Sequence, residues 1–325
     1  MEFGPVPLAA AKGAILAHSQ AVPGGRLRKG KVLEPRDIDQ LRAAGLKDVV
    51  VARFGPGELG EDAAAQLLGA ALAGPGVHSA PATGGRVNLF ATRAGVLEVA
   101  RQRVLALNRI APMITLATLP EWAETSDKML VATVKIIAYA VDKDALQAAC
   151  KAAKGALTLH QPMLHNASLI QTGVPGKLTE KGRRALAARL GRFGAAVRQH
   201  EIVAHDGGAL TGALGRATGE VVFILTASAT SDIRDVAPES LRLAGGHVHH
   251  FGMPVDPGNL LFIGELSGRP VIGLPGCARS TAKNGADWVI ARIVCGLPVT
   301  SKEIAEMGVG GLLKEMPSRP QPREK

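Results

Sequence analysis

The residues with most chemistry to offer are concentrated in Thr226–Val236, written TASATSDIRDV, directly after the apolar run EVVFIL. Four hydroxyls (Thr226, Ser228, Thr230 and Ser231) stand there beside Asp232, Arg234 and Asp235. With Asp206 they supply three carboxylates, a set that can hold Mg2+ against the phosphates of a substrate. The same residue types also serve structure, since Asp235 suits a helix N-terminus and Asp232 a turn. Hydroxyls ahead of a helix suit an anion seated on free N–H groups, and they also fill ordinary strand-to-helix turns. A second stretch, LPGCARS, puts a sharp turn at Pro275 and Gly276, followed by Cys277, Arg279 and Ser280. Arg279 has the planar fork that matches phosphate, whereas Cys277 is either a ligand contact or a small buried hydrophobe. His247 and His249 share a strand face, a pair open to a metal or to plain edge placement, with no third such ligand near in sequence.

These residues need a frame that brings them together. From residue 166 onward strand and helix patterns alternate: ASLIQTG, LTEKGRRALAARLGRFG, AVRQHEIVAH, DGGALTGALGRA, GEVVFILTAS, RDVAPESLRLAGG, HVHHFGM, NLLFIGEL, RPVIGLPG and AKNGADWVIARIVCG. Such alternation predicts an α/β fold with a mostly parallel, doubly wound sheet covered on both faces. Sites in these sheets lie beyond the carboxyl ends of the strands. That rule gathers four loops: QTGVPGK with Thr172 and Gly173, AHDGG with Asp206, TASATSDIRD, and LPGCARS.

The part before residue 166 reads as a mixed α+β region. A strand is expected in GAILAHS, a turn-rich connection in PGGRLRKGKVLEP, and a helix then a strand in RDIDQLRAAGLKDVVVARF. Residues 58–72 carry helical spacing, and residues 86–155 read as strand, helix, strand, strand, helix. Three segments are therefore expected: 1–165, 166–297, and 298–325 with a helix and an extended Pro-rich tail, MPSRPQPREK.

Composition narrows the function classes. The chain has 325 residues, 46% of them hydrophobic, enough for two domains and a sizeable core. Aromatics are only 3%, so base-stacking platforms have little material. The net charge of +10 is scattered apart from RLRKGK and KLTEKGRR, which argues against nucleic acid and leaves a small polyanion as a fitting partner. Cys150, Cys277 and Cys295 are odd in number and far apart, which fits a reduced cytoplasm better than a disulfide framework. The N-terminal apolar run has Glu2 where a signal would be basic and is broken by Pro5, Pro7 and Gly13. No stretch approaches the roughly 20 apolar residues of a membrane span.

The loops and rhythm over 166–296 resemble the Mog-type molybdopterin-binding domain of molybdenum-cofactor biosynthesis. That family follows its central strand with Thr-Thr-Gly-Gly-Thr-Gly, a spacer, Arg-Asp-Val and a Pro, and LTASATSDIRDVAP lies on that pattern without a gap. Thr226 takes the second Thr, Arg234, Asp235 and Val236 the Arg-Asp-Val, and Pro238 the Pro. The family's acidic residue falls on Asp206, its Leu-Pro-Gly turn on Leu274, Pro275 and Gly276, and its Met-Lys-Pro-Gly segment on GMPVDPGN with Asp256. A weaker likeness to larger, molybdate-inserting members covers the N-terminus, and the chain is also similar to the molybdopterin-binding half of bacterial fusions with a nucleotidyltransferase. Where the family has Gly-Gly this chain has Ala227 and Ser228; where it has Lys this chain has Val255 and Asp256; and Cys277 replaces its Asn or Ser.

The resemblance implies a Mog-like three-layer fold and a phosphorylated ligand, molybdopterin or molybdenum cofactor. The implied contacts are Thr172, Gly173, Thr226, Ala227, Ser228, Thr230, Ser231, Asp232, Asp256, Pro275, Gly276, Cys277, Arg279 and Ser280. Two readings of function follow. In one, nucleotidyl transfer from ATP or CTP, or molybdate insertion, proceeds with Asp235 and Asp206 as catalytic residues and Mg2+ ligands. In the other, a non-catalytic carrier or sensor hands the cofactor to a molybdoenzyme or a nucleotidyltransferase, alone or as a homo-oligomer. A plain nucleotide-binding domain ranks below both, because neither Gly-x-Gly-x-x-Gly nor a phosphate-binding Lys loop is present.

Overall fold

The computed structural model describes residues 1–173 and 180–313. Residues 174–177 of the first loop and the tail from Met316 lie outside the described residues. The chain divides into two units, Met1–Arg93 with Leu97–Leu159, and Ala94–Val96 with His160–Lys325.

The first unit opens with β1 (Glu2–Pro7), β2 (Ile15–Leu16), β3 (Gln20–Val22), β4 (Gly25–Leu27), α1 (Pro35–Ala43) and β5 (Asp48–Arg53). β5 is the middle of an antiparallel sheet, with β1 and β2 at its sides. The strand expected in GAILAHS shrinks to two residues. The turn-rich connection contains a hairpin, β3 with β4, that reverses at Pro23 and Gly24, where φ of 86° suits glycine. There follow β6 (Glu58–Gly60), α2 (Glu61–Leu72), β7 (Val77–Ser79), β8 (Arg86–Ala91), β9 (Gly95–Val99), α3 (Arg101–Asn108), β10 (Ile114–Thr118), β11 (Ala123–Thr125), β12 (Leu130–Ile136), β13 (Ala140–Asp142), α4 (Lys143–Ala153) and β14 (Leu157–His160). The helix expected from residue 58 starts at Glu61, because Glu58–Gly60 pair with β13 instead. Four short strands, β7, β9, β11 and β14, carry too few residues to show a period in sequence. The core here is made from small residues: Ala64 and Ala65 of α2 are wholly buried, and a Cβ on Gly69 would lie 2.6 Å from Val87 Cγ1. Close approach of helix to sheet thus replaces the bulk that aromatics would supply.

The second unit is built on one six-stranded sheet. Its elements are β15 (Asn166–Thr172), α5 (Lys181–Gly191), β16 (Ala196–Val203), α6 (Gly207–Arg216), β17 (Val221–Leu225), α7 (Val236–Leu243), β18 (His247–Phe251), β19 (Phe262–Leu266), β20 (Arg269–Gly273), α8 (Gly285–Val294) and α9 (Ser301–Glu306). The order is β16-β15-β17-β20-β19-β18. β16, β15, β17 and β20 run parallel; β19 is antiparallel to β20, and β18, antiparallel to β19, returns to the direction of the parallel strands. The sheet is therefore mostly parallel, as the alternation predicts, with β19 the reversed strand. The cause is connection length: only Ser267 and Gly268 separate β19 from β20, and two residues make a hairpin but no crossover.

β17 is buried at every residue and β15 from Ala167 to Thr172, the signature of strands covered on both faces. Ile170, Val222, Ile224 and Val271 pack with Leu210 and Leu214 of α6 and Leu241 of α7. Gln171 and Leu225, one residue out of phase and so facing the other way, lie against Gly182 of α5. Leu186, Leu190 and Phe193 are buried, as their shared helical face predicts. No helix among the described residues is long and apolar enough to cross a membrane.

Candidate functional site

The carboxyl ends of β15, β16, β17 and β20 are tied together by hydrogen bonds between their loops. Gly173 N donates to the Val203 carbonyl at 2.8 Å, and Leu274 N to the Ile224 carbonyl at 2.8 Å. Thr172 is wholly buried, and its Oγ1 accepts from Ala227 N at 2.8 Å. The same oxygen is 2.8 Å from His205 Nδ1, and His205 Nε2 is 3.0 Å from the exposed Ser228 Oγ. Thr226, 5% exposed, donates its hydroxyl to the Ser228 carbonyl at 2.6 Å and lies 3.4 Å from Thr230 Oγ1. Arg279 closes the set by donating from its guanidinium to the Thr226 carbonyl. Thr172, Thr226, Ala227, Ser228, Thr230 and Arg279 are thus brought together.

The loop that carries Arg279 is held from below. Arg189, on α5 and 2% exposed, donates all five of its N–H bonds. Nε donates to Asp287 Oδ1 at 3.1 Å, Nη1 to the carbonyls of Ala185 and Ala278, and Nη2 to those of Ser280 (2.8 Å) and Ala282 (3.0 Å). Three carbonyls of the 278–282 loop therefore face inward. Pro275, Gly276 and Cys277 lead into this loop through a short 3-10 turn, Gly276–Arg279. The Ser280 hydroxyl accepts from Ala282 N at 3.2 Å, which leaves its proton available.

Beside the loop lies a cavity of about 350 Å³ lined by Lys181, Arg184, Arg279, Ser280, Thr281 and Glu180. Three cations face one carboxylate. That carboxylate, Glu180, is held below its ordinary range first by the hydrogen bond from Arg183. Burial lowers the pKa of the half-buried Arg279. Burial also raises the Cys277 thiol, with the charge of Asp256 adding a smaller push in the same direction, so the thiol form prevails.

The acidic residues behave differently from the hydroxyls. Asp206 caps α6 by accepting from Ala209 N at 2.9 Å. Asp235 caps α7, its Oδ1 accepting from Val236 N at 2.7 Å and its Oδ2 from Ser231 N at 3.0 Å. Asp232 is exposed and paired with Arg234, whose side chain and then backbone N–H hold its carboxyl down to about 2. Asp256 lies on a separate segment whose backbone bridges to Leu312. Among the described residues no group of three His, Cys, Asp or Glu is placed to hold a metal ion. His249 lies 3.8 Å from the Glu265 carboxylate and His250 2.9 Å from Ser301 Oγ, and a bulge between Val248 and His250 breaks the strand's strict alternation.

A family model described as a probable molybdopterin binding domain matches residues 158–294, the stretch that carries this sheet and all four loops. Residues 158–294 belong to the molybdopterin-binding domain family. A second model, described only as a domain of unknown function, matches residues 5–53. No curated protein matches the chain. Among solved structures the chain is similar to the molybdopterin biosynthesis MoeA protein from Pyrococcus horikosii, at 14% identity over 94% of this chain and 77% of that one, with a TM-score of 0.33. It is also similar to molybdenum cofactor biosynthesis protein B, at 17% identity over 42% of this chain and 96% of that one, with a TM-score of 0.30. A third is the protein CinA, of unknown function, from Thermoplasma acidophilum, at 19% identity over 36% of this chain and 92% of that one, with a TM-score of 0.27.

Within the molybdopterin-binding domain, two residues central to the rim were not reached from sequence. His205 adjoins Asp206 at a strand end, a place where an imidazole meets neighbouring loops. Arg189 falls between Leu186 and Leu190, and a cation inside an apolar helical stripe signals a buried, partnered charge.

Proposed function

We propose that the molybdopterin-binding domain takes molybdopterin or the molybdenum cofactor as cargo over the carboxyl ends of its sheet, and that the protein carries it during biosynthesis or delivery. The observation that carries this reading is the junction at Arg279, which joins the hydroxyl-lined rim to the basic cavity. Ser228 is exposed on the first part, over the buried Thr172, Thr226 and Thr230 that hold its loop, and a ring with several donors and acceptors finds a hydroxyl and backbone groups there. Lys181, Arg184 and Arg279 line the second, where a phosphate finds positive charge. On this reading the domain is a doubly wound, three-layer unit, and its acceptor is a molybdoenzyme or a nucleotidyltransferase.

The carrier role is favoured over metal-assisted nucleotidyl transfer or molybdate insertion by the state of Asp235, whose two oxygens both accept backbone N–H groups. Mass spectrometry of the small molecule that accompanies the native protein tests the reading, with pterin fluorescence after oxidation as a second measure. A protein that carries no pterin and binds none on titration ends it. Incubation with molybdopterin, ATP or CTP and Mg2+ separates the roles, since a carrier binds and forms no nucleotidylated product.

A further inference from the structure

The first unit has a sheet edge that is closed by a side chain. Its four-stranded sheet runs β10-β12-β8-β7, so β10, Ile114–Thr118, is an edge strand. Just before β10 the Met113 carbonyl accepts from Ile137 N at 2.9 Å, and just after it Leu119 N donates to the Val131 carbonyl at 2.9 Å. By alternation Thr115 and Ala117 also bond toward β12, while Ile114, Leu116 and Thr118 turn their N–H and C=O groups outward, where a neighbouring strand would lie. Asn108, the last residue of α3, stands in that place. Its Oδ1 accepts from Leu116 N at 2.9 Å, and its Nδ2 donates to the Leu116 carbonyl at 3.0 Å. These are the two bonds that an opposed strand residue exchanges with Leu116, and together they fix which way round the amide sits.

The strand itself lacks the usual protection of an edge. ITLAT carries no charge and no proline, and its register with β12 is unbroken by a bulge. It also matches itself. Run antiparallel about Leu116, Ile114 faces Thr118 of a second copy, Leu116 faces Leu116, and Thr115 faces Ala117. Each pair shares one side of the sheet, and no like charges are opposed. The lock on this edge is light, since Asn108 is exposed and Leu107 is the one buried residue of α3. We infer that Asn108 is a guard on β10, holding closed an edge whose partner, once Asn108 withdraws, is β10 of a second copy. That pairing joins two four-stranded sheets into one, and it is independent of any ligand of the second unit.

Hydrogen exchange and sedimentation of the full chain, over a range of protein concentrations, test the guard and its partner separately. Alanine suits an exposed helix position, so Asn108→Ala keeps the fold. In dilute protein Asn108→Ala should speed exchange of the Leu116 amide about tenfold, and in concentrated protein it should lower the dissociation constant of a dimer about tenfold. Asn108→Asp, which keeps the acceptor for Leu116 N and loses the donor, should fall between. Thr118→Pro removes an outward N–H and leaves the bonds to β12 in place, so adding it to Asn108→Ala should restore the wild-type association. Thr115→Cys with Ala117→Cys should give a disulfide-linked dimer in the Asn108→Ala background and not with Asn108 present. Unchanged exchange at Leu116 overturns the guard. Faster exchange with unchanged association overturns the second copy as partner. Association that survives Thr118→Pro, or cross-linking that Asn108 does not prevent, overturns the assignment to a guarded β10.

Discussion

The two ends of the six-stranded sheet are both rich in polar side chains, but their hydrogen bonds are arranged differently. At the amino ends of the strands, Ser168 Oγ donates to Gln199 Oε1 at 2.7 Å and accepts from Gly219 N at 2.8 Å. Gln199 Oε1 also accepts from Thr218 N, and Gln199 Nε2 donates to the Arg216 carbonyl. Glu220 accepts the amides of His165 and Asn166 at 2.8 and 2.7 Å. Those bonds run from side chain to neighbouring backbone and stop there. At the carboxyl ends the chain of bonds finishes in the exposed Ser228 hydroxyl and in a cavity lined by cations. Polar density does not mark a site; an unfinished network does.

The comparison predicts that changes to closed networks move stability, and changes to the open end move binding. The largest effect is expected at Arg189, a closed network directly under the open rim. Arg189→Met leaves the buried Asp287 carboxylate with the Asn284 amide and the half-exposed Arg192 as its partners among the described residues, and unfolding in urea should show a loss of about 3–5 kcal/mol. A loss under about 1 kcal/mol would mean the clamp is ornamental. Next is Gly219→Ala at the opposite end, where the new Cβ would collide with the Ser168 amide and approach Ala167 C to 2.7 Å. Overpacking of this kind costs about 1–3 kcal/mol, and pterin affinity of the folded protein should stay at the wild-type value. Weakened binding there would break the distinction between the two ends.

Thr226→Val is smaller and falls on both sides of the line. It removes the hydroxyl that donates to the Ser228 carbonyl, so about 1 kcal/mol of stability and part of the ligand affinity should go together. The smallest effect is that of Glu220→Gln, read through pH. The His165 and Asn166 amides, in that order, hold the Glu220 carboxyl below its ordinary range. A folded value below the unfolded one, near 4.3, gives stabilisation that is complete above the unfolded value and is lost as pH falls through the folded value. Wild type and variant should therefore differ at neutral pH and converge in acid, as thermal melts at a series of pH values would show.

Much of the second unit was legible because its strands announce themselves. EVVFIL and ASLIQT are continuous apolar or small-residue runs of the kind buried on both faces, and the helix after the first is capped by Asp235. The reversal of β19 was not legible from strand composition, because direction is set by the loops, and the two-residue link between β19 and β20 admits only a hairpin. In the first unit β7, β9, β11 and β14 are too short to show a period, and their positions depend on partners far away in sequence. At the site, the hydroxyls of Thr226 and Ser228 and the fork of Arg279 were readable as residue types suited to phosphate. The roles of Asp206 and Asp235 as helix caps follow from where α6 and α7 begin, which carboxylate chemistry alone does not fix. His205 escaped notice because its importance lies in two partners, Thr172 and Ser228, that stand 33 and 23 residues away.

Because every N–H of Arg189 is committed to Asp287 and to backbone carbonyls, this arginine is hidden from mobile ions as well as from ligand. Added salt screens charges that water reaches, over about 8 Å at physiological ionic strength, and hardly touches a fully buried pair. Lys181, Arg184 and Arg279 are the cations that salt can screen. Rising ionic strength should therefore loosen the hold on an anion while the 278–282 loop keeps its shape, so that the grip on cargo is adjustable and the hand that makes it is not.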